Sequence, residues 1–257
     1  MTPIRYLTAI LSVATASLFA QPTFAQDAKP TEARNVVLVH GAWADGSSWS
    51  EVIARLQAVG LNVTAVQNPL TSLAESVAAT RRVLAQQNGP TVLAAHSWGG
   101  TVISEVGTDP NVTALVYVAA RAPDAAEDFV ALSNKFPTTP VRAGVQEHDG
   151  FTTLSQDAFL KYFANGVARE KADVLYAVQQ PTAAALFTGR TTTAAWRSKP
   201  SWYAVSTLDQ TISPELERYV AARMKATTME LPAGHLSLVS HPKEVADMII
   251  AAAQRGR

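Results

Sequence analysis

The chain of 257 residues carries 21 basic and 21 acidic side chains, only 16% of its residues are charged, and its formal net charge is zero. Without a lysine- or arginine-rich stripe it lacks the electrostatic footprint that nucleic acid or a membrane surface demands, so a small-molecule partner is expected. It holds no cysteine, which excludes a disulfide scaffold and a lipoprotein anchor.

The opening stretch, MTPIRYLTAILSVATASLFAQPTFAQDAKP, sets Arg5 before an apolar run from Leu7 to Ala20. It closes on Thr23 and Ala25, the small positions a signal peptidase reads. This layout predicts a secretory signal peptide over residues 1–25 and a periplasmic or secreted mature protein. The run is shorter than the roughly 20 residues a spanning helix needs, so the mature form is expected to be free of the membrane. Residues 26–257 suffice for one sizeable domain with a lid.

Short β-branched runs then alternate with amphipathic helical patterns. Strands are expected at NVVLVH (35–40), LNVTAVQ (61–67), TVLAA (91–95), ALVYVA (114–119), WYAVST (202–207) and TTMEL (227–231). Most are continuously apolar, as strands covered on both faces must be. Ser48 and Glu51 have capping-box spacing before a helix whose buried face is Trp49, Val52, Ile53 and Leu56, and Gly60 ends it. Ser72 and Glu75 do the same for the next helix, with Leu73, Val77 and Leu84 on its face. Pro214, preceded by Ser213 as cap, and Pro242 start the last two helices. Such alternation predicts an α/β fold built on a parallel sheet with right-handed crossovers.

Residues 121–200 break the rhythm. They hold helical pieces without a convincing buried strand, and every phenylalanine beyond residue 25: Phe129, Phe136, Phe151, Phe159, Phe163 and Phe187. The segment reads as a helical lid inserted between the strands at 114–119 and 202–207, packed over the carboxyl edge of the sheet.

Chemistry concentrates at strand ends. In VLAAHSWGGTVI, Ser97 falls at a strand-to-helix corner, with Ala95 and Gly99 as the small neighbours a sharp turn requires. A serine there is held in a strained conformation with its hydroxyl raised above the sheet edge. It needs a base, because its hydroxyl is barely ionised at neutral pH. Among five histidines, His235 in LPAGHLSL follows the last strand and is free to lean over the sheet. His96 is adjacent to the serine and points away, His40 orders its own loop, and His241 starts a helix. The orienting carboxylate is Asp209, after WYAVSTL, with Asp124 as competitor; Asp209 gives the order Ser, Asp, His. The backbone N–H groups of Ala42, in HGAW, and Trp98 are the natural oxyanion donors. Neither GxxxxGK[ST] nor GxGxxG occurs, nor a metal-type His/Asp cluster, so no cofactor and no metal are expected.

Together VHGAWADGSSW, AHSWGG, TLDQTISPEL and AGHLSLVSHP resemble the α/β-hydrolase family, most of all the small-lid branch of plant methylesterases, hydroxynitrile lyases and bacterial esterases. The resemblance implies Ser97, Asp209 and His235 as catalytic triad, Ala42 and Trp98 as oxyanion hole, and a six-stranded parallel sheet, because residues 26–34 leave little room for the family's first two strands. Gly41 and Leu236 stand where the lyases of this branch carry threonine and lysine, which argues against lyase chemistry. Ser97 itself argues against the aspartate-nucleophile epoxide hydrolases and dehalogenases. Trp43, Trp196 and Leu236 are expected to contribute to an apolar substrate pocket. The reading is a secreted serine hydrolase acting on a small-molecule ester or lactone through an acyl-enzyme. The alternatives are hydrolysis of a C–C or amide bond, or slow-turnover sensing of a small molecule on the same fold.

Overall fold

The apolar runs of the sequence form the middle of a sheet whose edges are its more polar strands. The computed structural model of the protein describes Met1 and residues 32–255, so the signal peptide expected over 1–25 lies, Met1 aside, outside the described residues. β1 (Asn35–Val39) leads through a 3-10 turn (Gly46–Trp49) into α1 (Ser50–Ala58), followed by β2 (Asn62–Val66), α2 (Leu73–Leu84), β3 (Thr91–His96), α3 (Gly99–Val106) and β4 (Val112–Val118). After a long excursion come β8 (Ser201–Ser206), α7 (Pro214–Arg223), β9 (Thr227–Leu231), α8 (Ser237–Ser240) and α9 (Pro242–Ala253). The excursion holds α4 (Phe129–Ser133), β5 (Val145–His148), β6 (Phe151–Leu154), α5 (Gln156–Ala158), a π-helical turn (Phe159–Phe163), α6 (Arg169–Ala177) and β7 (Thr182–Ala183).

The main sheet has six strands in the order β2-β1-β3-β4-β8-β9, all parallel. Every residue of β1, β3 and β8 is buried, whereas the edge strands β2 and β9 each bury one residue. Helices therefore cover the central strands on both faces, the arrangement parallel pairing requires. The chain leaves β1 towards β2 and returns to add β3 on the other side. The loops after β1 and β3 thus diverge at the topological switch point, where α/β sheets open a crevice. The HGAW loop and the Ser97 corner face each other there.

Two expectations need correction. The cap ahead of α1 is Asp45, whose side chain accepts from Ser47 N at 2.9 Å; Ser48 spends its hydroxyl on the Asp45 carbonyl at 2.8 Å. At α2 the expected cap is found, with Ser72 Oγ accepting from Glu75 N at 3.1 Å. The lid is also not wholly helical, because β5, β6 and β7 form a three-stranded antiparallel sheet within it. All four residues of β5 are exposed, so a search for apolar runs passes over them. The β5–β6 hairpin turns at Asp149 and Gly150, with φ of 50° and 78°, the left-handed pair that two-residue hairpins favour.

The lid sheet is fastened to the loops beneath it. Trp43 N donates to Thr182 Oγ1 at 3.0 Å and Trp43 Nε1 to Thr152 Oγ1 at 3.1 Å. Ala183 N donates to the Leu70 carbonyl at 2.9 Å, and Gln180 Nε2 to the carbonyls of Asn68 and Pro69. The loops after β1 and β2 therefore carry the lid's strands directly.

Candidate active site

Between the last residue of β3 and the first of α3 lie only Ser97 and Trp98. Ser97 holds φ at 54°, a conformation that costs a side-chain-bearing residue of order 1–3 kcal/mol and persists only where surroundings impose it. Here they do. Ser97 N donates to the Val118 carbonyl at 3.1 Å, and the Ser97 carbonyl accepts from Gly100 N at 3.1 Å and Arg121 N at 3.0 Å. The corner packs so tightly that a Cβ on Gly41 would lie 2.6 Å from Ser97 Cβ, and one on Gly100 would collide with the Arg121 carbonyl oxygen.

Two later loops lean over this corner. Asp209 closes a turn onto the end of β8, with its N–H donating to the Ser206 carbonyl at 3.1 Å, and His235 follows β9. Leu208 N donates to the Ala233 carbonyl at 3.0 Å, tying the two loops together. His235 Nδ1–H then donates to Asp209 Oδ2 at 2.6 Å, and Ser97 Oγ donates to His235 Nε2 at 2.9 Å. The other Asp209 oxygen accepts from the N–H groups of Thr211 at 2.6 Å and Ile212 at 2.9 Å. The structure thus joins Ser97, His235 and Asp209 in one hydrogen-bonded chain. Asp124 stands apart, paired with Arg197.

His235 is wedged between two rings, with centroids 4.6 Å away at His96 and 5.1 Å at Phe163. His96 Nε2–H donates to the His235 carbonyl at 3.0 Å, so the residue beside the serine supports His235 from behind. Burial, reinforced by the charge His235 can carry, holds His96 well below the usual histidine pKa. His40 is likewise neutral: its Nε2 accepts from Asn68 N at 2.8 Å, its Nδ1–H donates to the Gly41 carbonyl at 3.0 Å, and burial lowers its pKa.

Behind Asp209 lies a group that sequence reasoning did not identify. Glu217, on α7, is fully buried; its Oε2 accepts from Ser206 N at 2.9 Å and its Oε1 has no hydrogen-bond donor among the described residues. Burial first, then the Asp209 charge, push its carboxyl well above the ordinary range.

Ser97 Oγ opens on a cavity of about 240 Å³ beneath the lid. Ala42 and Trp98 line it, and their backbone N–H groups have no acceptor among the described residues, the condition for donors reserved for a ligand oxygen. Trp43 and Phe187, 5.3 Å apart between centroids, form one wall, and Phe129 and Ile212 form others. Of the expected pocket residues, Trp43 is there and two are not. Trp196 donates Nε1–H to the Pro123 carbonyl at 2.8 Å and packs against the guanidinium groups of Arg197 and Arg223, away from the cavity. Leu236 is buried on the far side of Trp43, lining a separate small void with Phe163. Arg121 and Arg142 also line the cavity. The sequence marks neither. Among the described residues no group of three or more His, Asp or Glu is placed to hold a metal ion.

Comparison with known proteins agrees with this architecture. A family model described as alpha/beta hydrolase matches residues 36–248. A carbendazim-hydrolyzing esterase of Nocardioides sp. (strain SG-4G) is 31% identical over 137 residues, 48% of this chain and 56% of that protein, so the match spans little more than half of that curated relative. Among solved structures, polyneuridine aldehyde esterase superposes with a TM-score of 0.72 at 17% identity, covering 85% of this chain and 98% of that one. A pyrethroid hydrolase from Sphingobium faniae JZ-2 does so with a TM-score of 0.70 at 18% identity, covering 86% and 97%.

Proposed function

The chain belongs to the alpha/beta hydrolase family, and we propose that it is a serine hydrolase that cleaves carboxylic esters or lactones through an acyl-enzyme. The observation that carries this reading is the hydrogen-bonded run Ser97 Oγ, His235 Nε2, His235 Nδ1, Asp209 Oδ2, opening on a cavity that also presents the free Ala42 and Trp98 amides. Esterase-named relatives point the same way.

In this mechanism Ser97 Oγ attacks the acyl carbon while His235 Nε2 takes its proton. The imidazolium forms with Asp209 already bonded to Nδ1, which fixes the tautomer and stabilises the charge. Negative charge on the former carbonyl oxygen is received by the Ala42 and Trp98 N–H groups; one such donor is worth about 3 kcal/mol in comparable sites. His235 then protonates the leaving alcohol, and water, deprotonated by the same imidazole, releases the acid. We also propose that residues 1–25 are a secretory leader; mass spectrometry of the exported protein should find Gln26 at its amino terminus.

The test pairs a fluorophosphonate probe with 4-nitrophenyl esters of short and medium chain. The native protein should label and turn over, and Ser97→Ala should do neither, with kcat lower by a factor of about 10³ or more. Asp209→Asn should be crippled and Asp124→Asn close to normal. Labelling and turnover that survive Ser97→Ala would overturn the assignment.

A further inference from the structure

The cavity beside Ser97 carries two positive charges and no negative one. Arg121 and Arg142 both line it, and no Asp or Glu does. Elsewhere Arg197, Arg218 and Arg223 each pair with a carboxylate. Arg121 and Arg142 pair with none among the described residues. Arg142, at the exposed mouth, bonds only the neutral oxygens of Asn134 at 3.1 Å and Ser133 at 3.3 Å. Arg121 spends one N–H on the Phe187 carbonyl at 3.0 Å, leaving most of its five donors open.

Arg121 is also held in place. Its backbone N–H donates to the Ser97 carbonyl, which sets it against the nucleophile's own turn. Its guanidinium lies 5.4 Å from the Phe129 ring centroid and 5.3 Å from that of Phe187, an arrangement that orients a cation without neutralising it. Burial and the nearby Arg142 charge lower its pKa to about 10, so it still carries its proton at neutral pH. A partly desolvated charge without a counter-ion is costly, and the cavity is the direction from which a counter-ion can come.

We propose that the preferred substrate is an ester bearing a carboxylate, with the anion received by Arg121, assisted by Arg142 at the mouth, while the ester carbonyl lies at Ser97. A planar guanidinium fork matches a carboxylate in a two-point, charge-assisted contact. The aromatic walls then take the intervening methylene groups. The inference rests on the esterase reading for its kinetic test, and a binding test separates the two.

Two substrate pairs place the charge on either side of the scissile bond: 4-nitrophenyl hydrogen glutarate against its methyl-capped diester, and acetoxyacetate against methyl acetoxyacetate. In at least one pair the anionic member should have the higher kcat/KM by about tenfold or more, a difference typical of a charge-assisted contact. That ratio should collapse in Arg121→Gln and fall in Arg142→Gln, whose exposed site makes misfolding an unsuitable explanation. Equal rates within both pairs, or a preference unchanged in both variants, would overturn the proposal. In parallel, calorimetry on Ser97→Ala should show monomethyl glutarate binding more tightly than dimethyl glutarate, and that advantage should vanish when Arg121→Gln is added and shrink when Arg142→Gln is. If no ester is turned over, the esterase reading falls while this binding difference, present or absent, still decides for or against the anion site.

Discussion

Asp209 shares its surroundings with a second carboxyl that has no route to water. Glu217 is fully buried beside it, with only the Ser206 N–H donating to its Oε2. Two adjacent carboxyls cannot both ionise cheaply in such a place, and Asp209 already receives donors from Thr211, Ile212 and His235. Glu217 therefore keeps the proton, and its elevated pKa follows from burial and from the Asp209 charge. The consequence for stability has a definite sign. An acid whose folded pKa lies above its unfolded value near 4.3 contributes stability that is fully present below that value. The contribution is lost as pH rises towards the folded pKa, at up to about 1.4 kcal/mol per pH unit. Glu217→Gln keeps an acceptor for Ser206 N but cannot ionise. Its melting temperature should gain on the native protein's as pH rises from 4.5 to 8, read by calorimetry across that range. A gap independent of pH would mean that Glu217 ionises without penalty.

At the scale of elements the decisive joint is β3–α3, where Gly100 lets the helix lie against the chain leaving β4. A methyl there would meet the Arg121 carbonyl oxygen, a backbone atom that cannot swing aside. Gly100→Ala should cost about 1–3 kcal/mol or more as overpacking, seen as a lower denaturation midpoint in urea. Because Arg121 N is bonded to the Ser97 carbonyl, the same shift should disturb Ser97 and lower kcat together with stability. This joint was legible in the sequence: an apolar run, one serine and a glycine pair leave few alternatives, and the same holds for the buried strands around it. The lid was legible only as an interruption. Its strands are short and half polar, and the Asp149-Gly150 turn that announces the hairpin carries no apolar flank on the exposed β5 side. Asp45 displaced Ser48 as cap because a 3-10 turn precedes α1, which capping-box spacing does not reveal. Trp196 was misplaced for a tertiary reason, since Pro123 and two arginines hold it away from the cavity. Arg121 and Glu217 carry no local mark at all; distant neighbours make one an open cation and the other a neutral acid.

Over the whole molecule the charges cancel, so its response to acid depends on where protons cannot be accepted rather than on net charge. Two histidines lie under the carboxyl edge of the sheet, and burial lowers the pKa of both. His40 Nε2 accepts from Asn68 N at 2.8 Å, and a proton added there would set donor against donor. His96 could take a proton only at Nδ1, which is buried and has no partner among the described residues, while its ring stands 4.6 Å from that of His235. A histidine with a depressed folded pKa contributes stability that is present above its unfolded value near 6.5. That stability is lost as pH falls towards the folded pKa, at up to about 1.4 kcal/mol per pH unit for each group. The fold should therefore weaken between pH 6.5 and 5, before most carboxylates begin to protonate. The weakening should start at the site, because the His40 loop holds Gly41 and Ala42 and the His96 ring backs that of His235. Melting temperature and ester turnover followed over this range should fall together and recover on return to pH 7.5. Because Glu217 opposes this trend, the decisive measurement is made in Glu217→Gln, where a melting temperature flat from pH 7.5 to 5 would show that both rings accept protons without penalty.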